Sequence, residues 1–246
     1  MSGHSHYATI KRQKGTLDQA RGKLFSKLSK AISIAIKAGG GADPNSNYKL
    51  RVAIDAAKTA NMPKANIERI LAREEGAEAL EEVSYEGYGP EGMAVIVETA
   101  TDNRNRTGQE IKGIFEHSGG SLAGPGAVSF NFEPSGVILV KKEKNKDEQM
   151  LKIIDIGAKE LEETEDGIEV YVAPELLGQF RDKLEGAGFV IISFELTQKP
   201  KNYLTIEDGT KASKALTFLD TISEHDDVQK VFANINIPQN VLAKIS

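Results

Sequence analysis

Cations crowd the opening of this 246-residue chain, among them Lys11, Arg12 and Lys14, then Lys23, Lys27, Lys30 and Lys37. At 100° per residue the last four fall within about 80° of arc, roughly 130° from the centre of an apolar stripe on the same expected helix. A row of ammonium groups on one helix face is the array that a phosphate polymer requires, because each contact releases condensed counterions. Tyr7, beside the cations, is a candidate ring for stacking on an unpaired base. The plain alternative is a solvated lysine-rich helix face. Charge segregation favours the first reading. Residues 1–73 hold 14 Lys/Arg and 4 Asp/Glu, a balance of +10, whereas residues 74–246 hold 17 and 32, a balance of −15.

A second cluster, Asp102-Asn103-Arg104-Asn105-Arg106-Thr107, opens an expected helix behind an expected strand. Asp102 or Asn103 suits the N-cap, which leaves Arg104 and Arg106 at the positive end of the helix dipole. Those arginines need an answering anion, and both a phosphate and a carboxylate of the same chain fit. Gly39-Gly40-Gly41 ends a helix and lacks a following Gly-Lys-Ser/Thr, so it reads as a C-cap and not as a phosphate loop. His4 and His6 lack a third metal ligand nearby, and His117 and His225 stand alone. The chain has no cysteine, which removes thiolate nucleophiles and zinc-thiolate sites. No Ser/His/Asp order or His-Glu-x-x-His signature occurs. No catalytic residue, metal or cofactor is therefore expected.

The elements that must hold these residues follow from periodicity. Leu17, Ala20, Leu24, Leu28, Ala31, Ile32 and Ala35 recur at spacings of three and four, predicting a helix from Thr16 to Ala38. Two shorter helices follow, about 47–60 with Leu50, Ala53, Ile54 and Ala57 inward, and Pro63 to about Arg73 with Ile67, Ile70 and Leu71 inward. Beyond residue 78 the texture changes to strands (Val83–Glu86, Met93–Thr99), a helix from Arg104 to His117, and a strand from Ala127 to Phe132. Val137 to Leu196 then reads β-α-β-β-α-β, the order of a ferredoxin-like sandwich. The tail adds a helix near Thr210–Ile222 and a strand near Val228–Ile235, too little to stand alone. The expected fold is α+β in three domains. A basic helical domain spans 1–78, and a discontinuous α+β domain spans 79–133 with 203–246. A ferredoxin-like domain, 134–202, is inserted between those two parts.

Five ordered blocks resemble one family. They are Gly3-His4-Ser5-His6-Tyr7-Ala8-Thr9-Ile10-Lys11, then Gly39-Gly40-Gly41 with Asp43-Pro44, Leu50-Arg51 and Ala53-Ile54. Asn61-Met62-Pro63-Lys64 with Asn66-Ile67-Glu68-Arg69 is the third, Tyr85-Glu86-Gly87-Tyr88-Gly89-Pro90 the fourth and Thr101–Thr107 the fifth. Together they are similar to the YebC/PmpR family of probable transcriptional regulators, whose mitochondrial members activate translation of a cytochrome oxidase subunit. His6 and Tyr7 depart from the lysine and tryptophan common there, and Lys49 stands where arginine is frequent. The resemblance implies three domains, no catalysis and no cofactor. Two roles come with it: promoter binding in transcription control, and association with the ribosome to assist translation. The expected partner is nucleic acid, either promoter DNA or ribosomal RNA, with no membrane and no small-molecule substrate, in the cytosol. An alternative is a protein-interaction module whose basic domain docks on an acidic protein.

Overall fold

The protein's structure, a computed structural model, describes residues 19–38, 41–72, 80–158, 160–164 and 166–245. Its first element, α1 (Gln19–Ala38), turns Ile32 and Ala35 onto α2 (Tyr48–Thr59) and α3 (Lys64–Leu71). Leu50, Ile54, Ala57, Met62 and Ile67 complete that small core. Asn47 joins the helices: its Oδ1 accepts from the Leu50 amide at 3.0 Å, while Nδ2 donates to the Ala35 carbonyl at 2.7 Å and the Gly41 carbonyl at 3.0 Å. One buried side chain thus caps the start of α2 and satisfies a carbonyl at the end of α1. Pro63 precedes α3, a position that needs no amide hydrogen.

A four-stranded antiparallel sheet follows, ordered β3-β1-β2-β9 from β1 (Glu81–Tyr88), β2 (Ala94–Thr101), β3 (Ser121–Ala123) and β9 (Val228–Ala233). The β2 sequence, Ala-Val-Ile-Val-Glu-Thr-Ala-Thr, is nearly continuous in apolar character because both faces of the strand are covered. On one face α4 (Arg104–His117) and α7 (Gly209–Glu224) pack, with Phe115 and Phe218 meeting edge-on at 5.0 Å between ring centres. On the other lie Val128, Phe132 and Phe232 against Ala94 and Ile96. Glu86 fixes the loop that supplies Val128: its carboxylate accepts from the amides of Gly126 and Val128 at 2.8 Å and of Ser129 at 2.9 Å. Burial pushes its pKa up, but those three amides outweigh burial and hold it below the usual glutamate value.

The remaining strands form β4 (Phe132–Val140), β5 (Glu160–Glu163), β6 (Ile168–Val172) and β7 (Ile191–Pro200), with α5 (Lys146–Asp155) and α6 (Leu177–Gly186) between them. The sheet order β5-β6-β4-β7, antiparallel throughout, is that of the expected ferredoxin-like sandwich. After β7 the chain returns to the first sheet through β8 (Leu204–Thr205), which pairs in parallel with β10 (Ile235–Asn236), and ends in α8 (Gln239–Ile245).

The α+β class and the split βαβ order agree with the expectation, and four local readings change. The expected strand at Ala127–Phe132 is a loop with one 3-10 turn at Ser129–Asn131, and pairing begins only at Phe132. The three-residue β3 and the final α8 were not anticipated, being too short to show a period. The expected single strand at 228–235 is split into β9 and β10 at Asn234, whose side chain accepts from the Ala94 amide at 2.7 Å. Thr16, the expected start of the first helix, and Gly39 and Gly40 of the expected C-cap lie outside the described residues; Gly41 takes φ 142° and donates to the Ile36 carbonyl at 3.0 Å. Among the described residues no helix is long and apolar enough to cross a membrane.

Candidate nucleic-acid interface

Helix α1 meets neighbours on two sides. Its apolar stripe packs on α2 and α3, and the face one-third of a turn away, carrying Lys23, Lys27 and Lys30, meets the end of α7 and the start of β9. Lys27 Nζ donates to the Ser223 carbonyl at 2.7 Å. Helix α7 has no basic residue in its own last turn, so the ammonium supplied by α1 answers the negative end of its dipole.

Lys30 reaches deeper. Its Nζ lies 2.8 Å from Asp227 Oδ1 and 3.2 Å from the Asp226 carbonyl. Asp227 is almost fully buried and is met from three directions. Lys30 takes one oxygen; the Arg106 guanidinium, at 2.9 Å, and the Thr107 hydroxyl, at 2.7 Å, share the other. Burial raises the carboxyl pKa, yet the hydrogen bonds from Lys30, Thr107 and Arg106 prevail and hold it far below the usual carboxylate range. The sequence positions these donors locally. Asn103 caps α4, its side chain accepting from the Arg106 amide at 3.1 Å, which sets Arg106 and Thr107 in the first turn. The Thr107 and Thr101 hydroxyls are 2.8 Å apart and fully buried, tying that turn to the end of β2. Arg106 also bonds Asp102 at 2.9 Å.

A groove of about 930 Å³ runs beside this node, lined by Lys23, Arg106, Glu110, His117, His225 and Asp226 among others. His225 Nδ1 accepts from the Asp227 amide at 3.1 Å, which leaves the hydrogen on Nε2, 2.9 Å from Glu110 Oε2. Glu110, His225 and Asp227 bring possible metal-ligand atoms within 4.8 Å of one another. The donor set does not suit a cation: both Asp227 oxygens already serve Lys30, Arg106 and Thr107, so a metal ion would sit among positive groups.

The structure therefore gathers Lys23, Lys27, Lys30 and Arg106 but places them differently from the expectation. Lys27 and Lys30 face the molecule's own carbonyls and carboxylates instead of solvent. The periodicity argument separated an apolar face from a cationic one correctly. It assumed that only the apolar face is covered, and α1 is covered on both. Lys23 remains 62% exposed, 3.9 Å from Asp226, and Lys37 and Arg104 are exposed. For Arg106 a carboxylate provides the anion left open by the sequence. Lys11, Arg12, Lys14, Tyr7, His4 and His6 lie outside the described residues. Asp227 and Ser223 complete this node without having been singled out in the sequence, and Thr107 was noted only within the Asp102–Thr107 cluster; the one available signal was an arginine at a helix N-terminus with no visible partner.

A second contact holds the helical part from the other side. Arg181 on α6 bonds Asp55 on α2 at 2.6 Å and lies over the Phe194 ring, 4.6 Å from its centre, while Val52 packs on the ferredoxin-like core.

Comparison with known proteins agrees with this architecture. Residues 5–77 match the model of the TACO1/YebC protein N-terminal domain, and residues 80–235 that of the TACO1/YebC second and third domain. The chain is 46% identical over 251 residues to a protein of Dictyoglomus turgidum named probable transcriptional regulatory protein, covering all of both. A protein of that name from Geobacillus kaustophilus is 44% identical over 242 residues, covering 96% of this chain and 98% of the relative. The crystal structure of a conserved hypothetical protein from Aquifex aeolicus superposes with a TM-score of 0.83 at 42% identity, covering 91% of this chain and 93% of that one. A mixed fold with one helical and two sheet-containing parts, matched by family models over nearly its whole length and by full-length relatives, places the chain in the TACO1/YebC family.

Proposed function

We propose that this protein is a non-enzymatic, cytoplasmic regulator of gene expression that binds nucleic acid through its basic helical domain. Three domains divide the work, at 1–78, at 79–133 with 203–246, and at 134–202. The carrying observation is the separation of charge, +10 before residue 74 and −15 after it. Among the described residues, the cations that lie open on the helical part are Lys23 and Lys37 on α1, Lys58 on α2, and Lys64 and Arg69 on α3. Lys11, Arg12 and Lys14 extend that charge in sequence, with Tyr7 for stacking, and Arg104 adds a cation at the start of α4. Contacts of this kind follow the shape and charge of the phosphate backbone. Structured RNA, including ribosomal RNA, suits that chemistry better than a promoter sequence. The names of the relatives point to transcription.

Salt titration of binding to labelled RNA and duplex DNA tests the reading. A log–log slope of about −0.7 to −0.9 per phosphate engaged is expected, and charge reversal at Lys23 and Lys37 reduces its magnitude by about one for each contact removed. A flat salt response refutes nucleic-acid binding. A second reading, docking on an acidic protein, draws support from Asp227, since these ammonium groups already hold a carboxylate. Polyglutamate competing as well as polynucleotide at equal charge favours it. Co-sedimentation with ribosomal particles against retention on promoter fragments separates the two nucleic-acid roles.

A further inference from the structure

We propose that the Lys23–Lys27–Lys30 face of α1 is a concealed phosphodiester-binding surface, held shut by Asp226 and Asp227 and uncovered when the helical domain leaves the middle domain. The proposal rests on the reading of the basic domain given above and adds how access to it is controlled.

Asp227 receives one ammonium, one guanidinium and one hydroxyl, all within 3 Å. Carboxylate and phosphate oxygens take the same charge-assisted donors, so Asp227 occupies the place that a backbone phosphate would fill. The Ser223 carbonyl plays the same part for Lys27. A phosphate cannot reach Lys30 while Asp227 holds it.

Among the described residues, the apolar cluster of the helical domain contains no residue of the middle domain, and the middle core contains none of α1. Polar contacts hold α1 here: Lys30 to Asp227, Lys27 to Ser223 and the long Lys23–Asp226 pair. Ion pairs of this kind offset their desolvation only in part, and on separation both partners regain water. An interface carried by such pairs opens at lower cost than an apolar one, and each cluster keeps its own packing; the Arg181–Asp55 pair and Val52 hold the helical part separately, on the ferredoxin-like side.

Lys23 and Arg106 lie at the rim, 62% and 46% exposed, beside the groove along α4 and α7. A polyanion landing there meets the two accessible cations first. Each further phosphate then competes with Asp226 and Asp227 for the next cation inward, so opening and binding proceed together.

The chain contains no cysteine, which makes a tethering experiment direct. Lys23→Cys with Asp226→Cys places two thiols across the interface, to be joined in the folded protein by a short, reducible bis-maleimide. Binding of a fluorescein-labelled oligouridine is measured before bridging, after bridging and after reductive cleavage. Coupling between two sites is typically worth 5- to 150-fold in affinity; the bridged form is expected to bind at least about tenfold more weakly, with recovery on cleavage. In the otherwise unaltered chain, Asp227→Asn is expected to tighten binding severalfold. Equal affinity of bridged and unbridged protein overturns the concealed surface while leaving the basic-domain reading intact. Absence of salt-dependent binding by the wild-type and unbridged proteins alike overturns that reading, and this proposal with it.

Discussion

Replacing Glu86 with glutamine removes a charge from beneath the 124–131 loop and turns one acceptor into a donor. In the native protein both carboxylate oxygens accept backbone amides, from Gly126 on one and from Val128 and Ser129 on the other. The amide oxygen of glutamine keeps the Val128 and Ser129 bonds in neutral form, while its nitrogen opposes the Gly126 amide, donor against donor. A hydrogen bond to a charged group contributes about 1.5–3 kcal/mol and a neutral one about 1 kcal/mol. Gly126 is exposed and recovers a water molecule, so the loss should be about 2–3 kcal/mol. For a chain of this size that corresponds to roughly 4–10 °C in the transition of the middle domain, read by calorimetry. The pH dependence has a definite sign. The folded-state pKa of Glu86 is depressed, so its contribution is complete above the unfolded value of about 4.3, erodes below it, and is gone once pH has fallen through the lower folded value. The gap between wild type and Glu86→Gln should be constant from about pH 5 to 8 and close in acid. A gap that persists unchanged at pH 3, or no gap at neutrality, would refute the anchoring role.

Two further expectations concern the same domain. Thr107→Val keeps the shape but removes the hydroxyl shared by Thr101 and Asp227, and should cost about 1–3 kcal/mol in urea unfolding while Thr107→Ser costs less; equal losses would show that packing alone matters. Gly120→Ala puts a Cβ 2.4 Å from the Tyr88 carbonyl oxygen and 3.0 Å from Gly89 Cα, both backbone atoms, so it should destabilise by about 1–3 kcal/mol in the same assay, and a neutral outcome would contradict the close packing of β3 against β1.

Much of the fold was legible because burial leaves a period in the sequence. Leu50, Ile54 and Ala57 marked the inner face of α2, and the β-α-β-β-α-β order of 132–200 followed from strands and helices long enough to show their patterns. The sequence boundaries of α4, Arg104 and His117, agree with the structure because Asn103 is a strong cap and Gly119 closes the far end with φ 81°. What escaped was non-local. Nothing in Lys27 or Lys30 announces that residues nearly 200 positions later will receive them. Helical periodicity reports that a face is polar without saying whether water or another domain satisfies it. Asp226-Asp227 carries no period or motif, and only the path of α7 into β9 brings it beneath α1.

The pairing of β9 with β2 has a consequence for synthesis on the ribosome. Domains fold as units in the order in which they emerge. The helical bundle holds its own core within residues 19–72 and can form early, but β2 waits for residues 228–233 to cover its open edge, with more than a hundred intervening residues to be made first. During that interval a bare strand rich in valine and isoleucine stands ready for mispairing. Asp227 is delivered by the same late segment. The nascent protein thus displays its lysine row unshielded until residues 223–227 have been made.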